Sequence, residues 1–192
     1  YVPLSNTMNA FAKRMIDIIG SFCGIVILSP LLLIVAIIIK LTSKGPVIFK
    51  QERVGLHNKT FKMYKFRSMC VDAEAKLASL MDRNEVDGPA FKIEDDPRIT
   101  KIGKFIRKTS IDELPQLLNI LKGQMSVVGP RPITEAGVKK HYIGKYDNVL
   151  TVRPGLACLD SLYDYAHGEL FIKDNEEFDK KVAPMRDKLA SI

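Results

Sequence analysis

The sequence predicts an α-rich α+β fold: a membrane-seated helical segment at the N-terminal side, followed by amphipathic helices and a small β-hairpin. Three observations predict it. Ile18–Ile39 is an uncharged apolar run of 22 residues. Val47–Val54 and Thr60–Met69 are strand-like and flank the turn residues Gly55-Leu56-His57-Asn58-Lys59. Helical spacing then recurs among charges, near residues 72–84 and again near 99–108.

A straight helix over Ile18–Ile39 would reach ~33 Å, enough to cross a bilayer core. The run is too long for a cleaved signal peptide, and no small-residue cleavage site follows it. Lys13 and Arg14 precede it while Lys40 and Lys44 follow, so both ends carry the positive mark of a cytoplasmic flank. Ser29 and Pro30 interrupt the middle. Pro30 removes the hydrogen bond to the carbonyl of Val26, which the Ser29 hydroxyl can satisfy instead. Two halves of ~15–18 Å suit a hairpin that enters and leaves by one face, whereas a kinked single pass is the plainer alternative. The residues alone leave both open.

After Lys40 the chain becomes soluble in character, which divides it into a membrane-associated segment, 1–41, and a cytosolic domain, 42–192, opening with the turn Ser43-Lys44-Gly45-Pro46. Alternation in the second strand sets Phe61, Met63, Lys65 and Arg67 on one face. His57 lies in the turn and receives no role. Ala75, Leu77, Ala78, Leu80 and Met81 give 72–84 its helical pattern, and residues 85–89 read as a loop. Asp95-Asp96-Pro97-Arg98 resembles an acidic metal cluster, but Asp-Pro is a common turn or helix-start signal, and the structural reading is preferred. Ile99, Ile102, Phe105 and Ile106 between Arg98, Lys101, Lys104, Arg107 and Lys108 predict a basic amphipathic helix. Its apolar face suits an anionic membrane surface or the domain core.

The stretch Thr109–Pro132 carries the candidate chemistry. Proline is tolerated only in a first helical turn, so Pro115 starts a helix near Leu114 and leaves Asp112 and Glu113 just before it. The competing reading is a capping box, Ser110-x-x-Glu113, beginning the helix a turn earlier. A cap explains Glu113 but gives no duty to Asp112 or to Arg131, which stands between two prolines.

A net charge of +7 and a pI near 9.3 imply an anionic partner: nucleic acid, an acidic membrane surface or a phosphorylated substrate. Nucleic acid is disfavoured because the aromatic residues do not interleave with the cations as a stacking platform requires. Cys23, Cys70 and Cys158 form no C-x-x-C pair, so a reduced, cytosol-facing protein is expected.

Taken in order, these pieces resemble the bacterial sugar transferases, monotopic phosphoglycosyl transferases that act on polyprenyl phosphate. The matching segments are Lys13-Arg14 with Asp17, Ser29-Pro30, Gly45-Pro46-Val47-Ile48-Phe49 with Gln51, Arg53 and Gly55, and Lys65-Phe66-Arg67-Ser68-Met69. They continue with Asp96-Pro97-Arg98, the Ser110–Gly123 block, Met125 to Pro132, and Arg153-Pro154-Gly155. The resemblance implies a re-entrant membrane helix kinked at Ser29 and Pro30. It implies Asp112 and Glu113 as the catalytic pair and as ligands of Mg²⁺, with Lys65, Arg107 and Arg131 binding phosphate. The implied partners are a nucleoside diphosphate sugar, with a UDP-sugar the expected form, undecaprenyl phosphate and membrane lipid at the cytoplasmic face of a bacterial inner membrane. A homodimer is compatible with it. The implied reaction transfers a phosphosugar through an aspartyl intermediate on Asp112, the first membrane step of glycan assembly. The alternative from another class is a membrane-anchored basic protein that binds anionic lipid without catalysis.

The resemblance weakens after Gly155, where Leu156-Ala157-Cys158-Leu159-Asp160 replaces the family's Thr-Gly pattern. Asn175–Leu189 reads as a polar helix, and ending at Ile192 suggests a compact variant or a truncated chain.

Overall fold

A computed structural model of the chain describes residues 7–77, 96–141 and 150–158. Its longest element is α1, Thr7–Thr42, a helix of 36 residues. By length and composition it is able to cross a membrane. Pro30 lies inside it, and the Ser29 hydroxyl donates to the Val26 carbonyl at 2.8 Å, the compensation expected for the missing backbone donor. The helix is continuous through that point, so a hairpin of two separate halves is not seen.

One face of α1 is docked along its length. At its N-terminal side Lys13, Arg14 and Asp17 meet the domain. Arg14 donates to the carbonyls of Ile120 and Leu121 at 2.7 and 3.0 Å. Buried Asp17 accepts from the Val127 backbone N–H at 2.9 Å and from the Ser126 hydroxyl at 3.1 Å, while Lys13 contacts Asp17 and Ser126. Further along, Ile25 packs on a cluster of Phe61, Met63, Leu117, Ile120 and Met125. Val35 and Ile39 then join Phe66 and Ile106 in a second cluster. The opposite face exposes Phe11, Ile16, Ile19, Phe22, Ile27, Leu33 and Leu41, an apolar surface too long to be incidental in water.

The hairpin forms as expected, with β1 (Ile48–Val54) antiparallel to β2 (Thr60–Phe66). His57 and Asn58 take the left-handed backbone in its tight turn. Helix α2 covers Ala73–Leu77; the rest of the expected 72–84 helix, the 85–89 loop and the 175–189 helix lie outside the described residues. Asp96 and Arg98 form a buried ion pair at 2.6 Å with further donation from the Arg98 backbone, so their structural reading is borne out. Helix α3 spans Lys101–Lys108, capped by the Thr100 hydroxyl accepting from Gly103. Its Ile106 and Ile102 pack into the core, while Phe105 stays exposed. A 3₁₀ helix at Ile111–Gln116 runs into α4, Leu117–Leu121. Strands β3 (Ser126–Val128) and β4 (Gly155–Ala157) form a short parallel pair, and α5 spans Glu135–His141.

Candidate active site

The site begins with strand register. Phe49 stands opposite Lys65, Gln51 opposite Met63 and Arg53 opposite Phe61. Directly opposed residues share a face, so Arg53, Gln51 and Lys65 all project from the same side of the hairpin. That face is held against the 3₁₀–α4 segment by Asn119. This fully buried amide accepts from the Tyr64 N–H at 3.0 Å and donates to the Lys62 carbonyl at 2.8 Å. Lys65 reaches Glu113, with Nζ to Oε1 at 2.6 Å.

Asp112 and Glu113 lie inside the first turn of the 3₁₀ helix rather than ahead of an α-helix at Leu114. The capping box does not form either. Ser110 occupies the cap position in the left-handed conformation, φ 56°, with no side-chain cap hydrogen bond, and Glu113 turns to Lys65 instead. A non-glycine residue held there costs on the order of 1–2 kcal/mol. The strain buys a sharp change of direction between α3 and the carboxylate pair.

The two carboxylates differ sharply in environment. Asp112 is 8 % exposed, whereas the Glu113 side chain keeps 33 % of its surface. Burial pushes the Asp112 carboxyl above its ordinary range; Lys65 draws it down, Glu113 raises it further and Arg107 draws it down. Lys65, Arg107 and Glu113 all act electrostatically on Asp112, and Lys65 is ion-paired with Glu113. The Arg131 charge acts on Arg53, and the Val54–Ile133 bridge ties the segments that carry the two. Burial and the Arg131 charge both push the Arg53 guanidinium down, and Glu113 opposes them. Arg53 donates to Gln51 Oε1 at 2.7 Å, and its Nε is buried without a partner. Arg53 was not among the expected site residues. The signal was present, because carrying the hairpin register across to β1 places it on the Lys65 face. Ser29 and Pro30 lie on exposed turns of α1, where the Ser29 hydroxyl donates to the Val26 carbonyl within the helix.

Arg131 is delivered by a clamped loop. The Gly129 N–H donates to the Ala157 carbonyl at 3.1 Å and the Gly155 N–H to the Pro130 carbonyl at 2.8 Å. A Cβ on Gly155 would lie 2.1 Å from the Gly129 nitrogen, so glycine alone permits this approach. Val54 bridges to Ile133, its N–H donating to that carbonyl at 2.9 Å, which ties the end of β1 to the segment following Arg131.

Asp112 and Glu113 are the adjacent carboxylates that could hold a divalent cation. Among the described residues no group of three or more His, Cys, Asp or Glu side chains gathers. Mg²⁺ needs no such cage, being held by one or two carboxylates together with water and substrate phosphate oxygens. Adjacent Asp112 and Glu113 supply that minimum.

The family model described as bacterial sugar transferase matches residues 8–184. The chain is 50 % identical over 151 residues to galactosyl transferase CpsE of Streptococcus agalactiae, covering 77 % of this chain and 32 % of that protein. It is 42 % identical over 161 residues to the undecaprenyl-phosphate galactose phosphotransferase of Salmonella typhimurium, covering 81 % of this chain and 33 % of that protein. A putative undecaprenyl-phosphate N-acetylgalactosaminyl 1-phosphate transferase of Bacillus subtilis is 48 % identical over 120 residues, 62 % of this chain and 61 % of its own length. The chain thus spans about a third of the first two relatives. A family model matching nearly the whole sequence, on a fold that gathers Asp112, Glu113 and Lys65, places the chain in the bacterial sugar transferase family.

Proposed function

We propose that the chain transfers a phosphosugar from a nucleoside diphosphate sugar, a UDP-sugar above all, to undecaprenyl phosphate at the cytoplasmic face of a bacterial membrane. The observation that carries this reading is the buried carboxylate of Asp112, set beside Glu113 and within the fields of Lys65 and Arg107. Such a group is shielded from water yet faced by cations able to receive phosphate. The relatives, which include undecaprenyl-phosphate sugar phosphotransferases, support the same substrates. The alternative of a lipid-binding protein without catalysis relied on Asp112 and Glu113 as a cap, and no such cap hydrogen bond forms.

In the proposed route an Asp112 carboxylate oxygen bonds to the sugar-bearing phosphorus. The bond from that phosphorus to the bridging oxygen breaks, and its electron pair leaves with the nucleoside monophosphate. An oxygen of undecaprenyl phosphate then attacks the same phosphorus and frees Asp112. Lys65 and Arg107 offset the charge of the attacked phosphate. Mg²⁺, held by Glu113 and Asp112, would supply further neutralisation of the diphosphate.

The membrane arrangement we propose is monotopic and re-entrant. Its support is that both ends of α1 are docked on the same body, Asp17 on β3 and Ile39 beside Phe66 and Ile106, while the face between them is apolar outward. A helix crossing the bilayer would carry one of those ends away.

The test is incubation of the detergent-solubilised chain with nucleotide sugars and Mg²⁺, without the lipid acceptor. Nucleoside monophosphate is expected together with one phosphosugar added in mass to the peptide bearing Asp112. Activity that requires both substrates and leaves no adduct would refute the covalent route. Absence of monophosphate with every nucleotide sugar, acceptor present, would refute the function itself.

A further inference from the structure

The cations of the site fall into two groups along the hairpin. Lys65 and Arg107 lie in the field of Asp112, whereas Arg53 and Arg131 lie in each other's, with Glu113 common to both. The hairpin gives this division a length. Lys65 pairs with Phe49, and Arg53 stands four residues further along the same face of β1, so their backbones are ~13 Å apart. The Val54–Ile133 bridge fixes Arg53 and Arg131 at that far end. Two neighbouring guanidiniums repel, and Arg53 Nε is buried without a partner although Gln51 already orients the group. Such an arrangement is unfavourable alone and becomes favourable when an anion enters between the cations.

We infer that the two phosphates of the donor are held by separate cation pairs: Lys65 and Arg107 take the phosphate that Asp112 attacks, and Arg53 with Arg131 takes the phosphate that departs. This rests on the proposed function and adds to it a subsite for the leaving group, with Arg53 as a substrate-binding residue. The division follows the chemistry. When the Asp112 oxygen bonds to phosphorus, the electron pair of the broken bond settles on the leaving monophosphate, and negative charge grows there. A forked guanidinium pair positioned at that phosphate stabilises the charge as it develops.

Inhibition by uridine monophosphate and by uridine, measured on the full chain in nanodiscs, separates the two pairs. Arg53→Gln is expected to weaken uridine monophosphate at least tenfold while leaving uridine unchanged, and Arg53→Lys should lose an intermediate amount because charge remains but the fork does not. Arg107→Gln should lower kcat by a larger factor than it weakens uridine monophosphate. The inference is overturned if Arg53→Gln binds the monophosphate as the wild type does, or if both nucleotide and nucleoside weaken equally. It is also overturned if Arg107→Gln loses the monophosphate as severely as Arg53→Gln. Should Arg53→Gln melt well below the wild type, Arg53→Lys carries the same comparison. A wild-type chain that turns over while these variants shift the wrong parameter refutes the subsite alone; one that neither binds nor releases the monophosphate refutes the proposed function.

Discussion

Burial places Asp112 where its ionised form is disfavoured, and the nearby Lys65 and Arg107 only partly relieve this. The consequence for stability has a definite sign. The carboxyl's folded pKa is raised above its ordinary value, so the folded state binds the proton more tightly than the unfolded chain does. Stability attributable to this group is therefore greatest at low pH and is lost as pH rises through the folded value. Asp112→Asn should accordingly melt no lower than the wild type at pH 7, and higher if the cost of ionisation dominates, with the gap closing as pH falls towards 4. Thermal melts of both proteins across that range check it, and turnover of the variant should be abolished throughout. A variant that melts lower at every pH would point to a structural carboxylate. Asp112 was legible in the sequence as a residue that capping left unexplained. Its burial was not, because that depends on α3, β2 and the 3₁₀ turn meeting across long sequence separations.

At the scale of elements, the hairpin and α3 were readable because periodicity speaks over seven or eight residues. The β3–β4 pair was not, since strands of three residues carry no period and their partners lie 29 positions apart, Ser126 with Gly155 and Val128 with Ala157. What the sequence did offer was a pair of glycine–proline motifs whose meaning is now spatial. Gly155→Ala would press a Cβ onto backbone atoms of Gly129, where no flexible side chain exists to yield. A loss of about 2–4 kcal/mol is expected, together with most of the activity, since Arg131 follows directly. Gly20→Ala, with nothing within 4 Å, is the matched control and should leave both nearly unchanged. Differential scanning measurements on the two variants decide the matter. Equal melting temperatures would mean that the parallel pair is not tightly closed.

For the molecule as a whole, the sequence showed an apolar helix with cations at both ends, and read those cations as a topological mark. The structure gives Lys13 and Arg14 a second occupation as ligands of the domain, which no local pattern reveals because their partners lie more than 100 residues away. If both ends of α1 lie on one side, single cysteines at Asn9 and at Lys44, in a background with Cys23, Cys70 and Cys158 replaced by serine, should show the same accessibility. An impermeant maleimide should label both in inverted membrane vesicles and neither in intact cells. Opposite labelling of the two sites would establish a span instead.

The docking of α1 on β3 also bears on how such a protein can be cut. Asp17 receives the Val127 N–H, and three residues later the same backbone turns through Pro130 to present Arg131. The N-terminal helix and the loop that carries Arg131 are therefore joined through one short strand. Excising the helix to make a water-soluble catalyst would remove the loop's foundation along with its greasy surface, so solubility would have to come from repainting the outward face, at Phe11, Ile16, Ile19 and Phe22, with the inward face left as it stands.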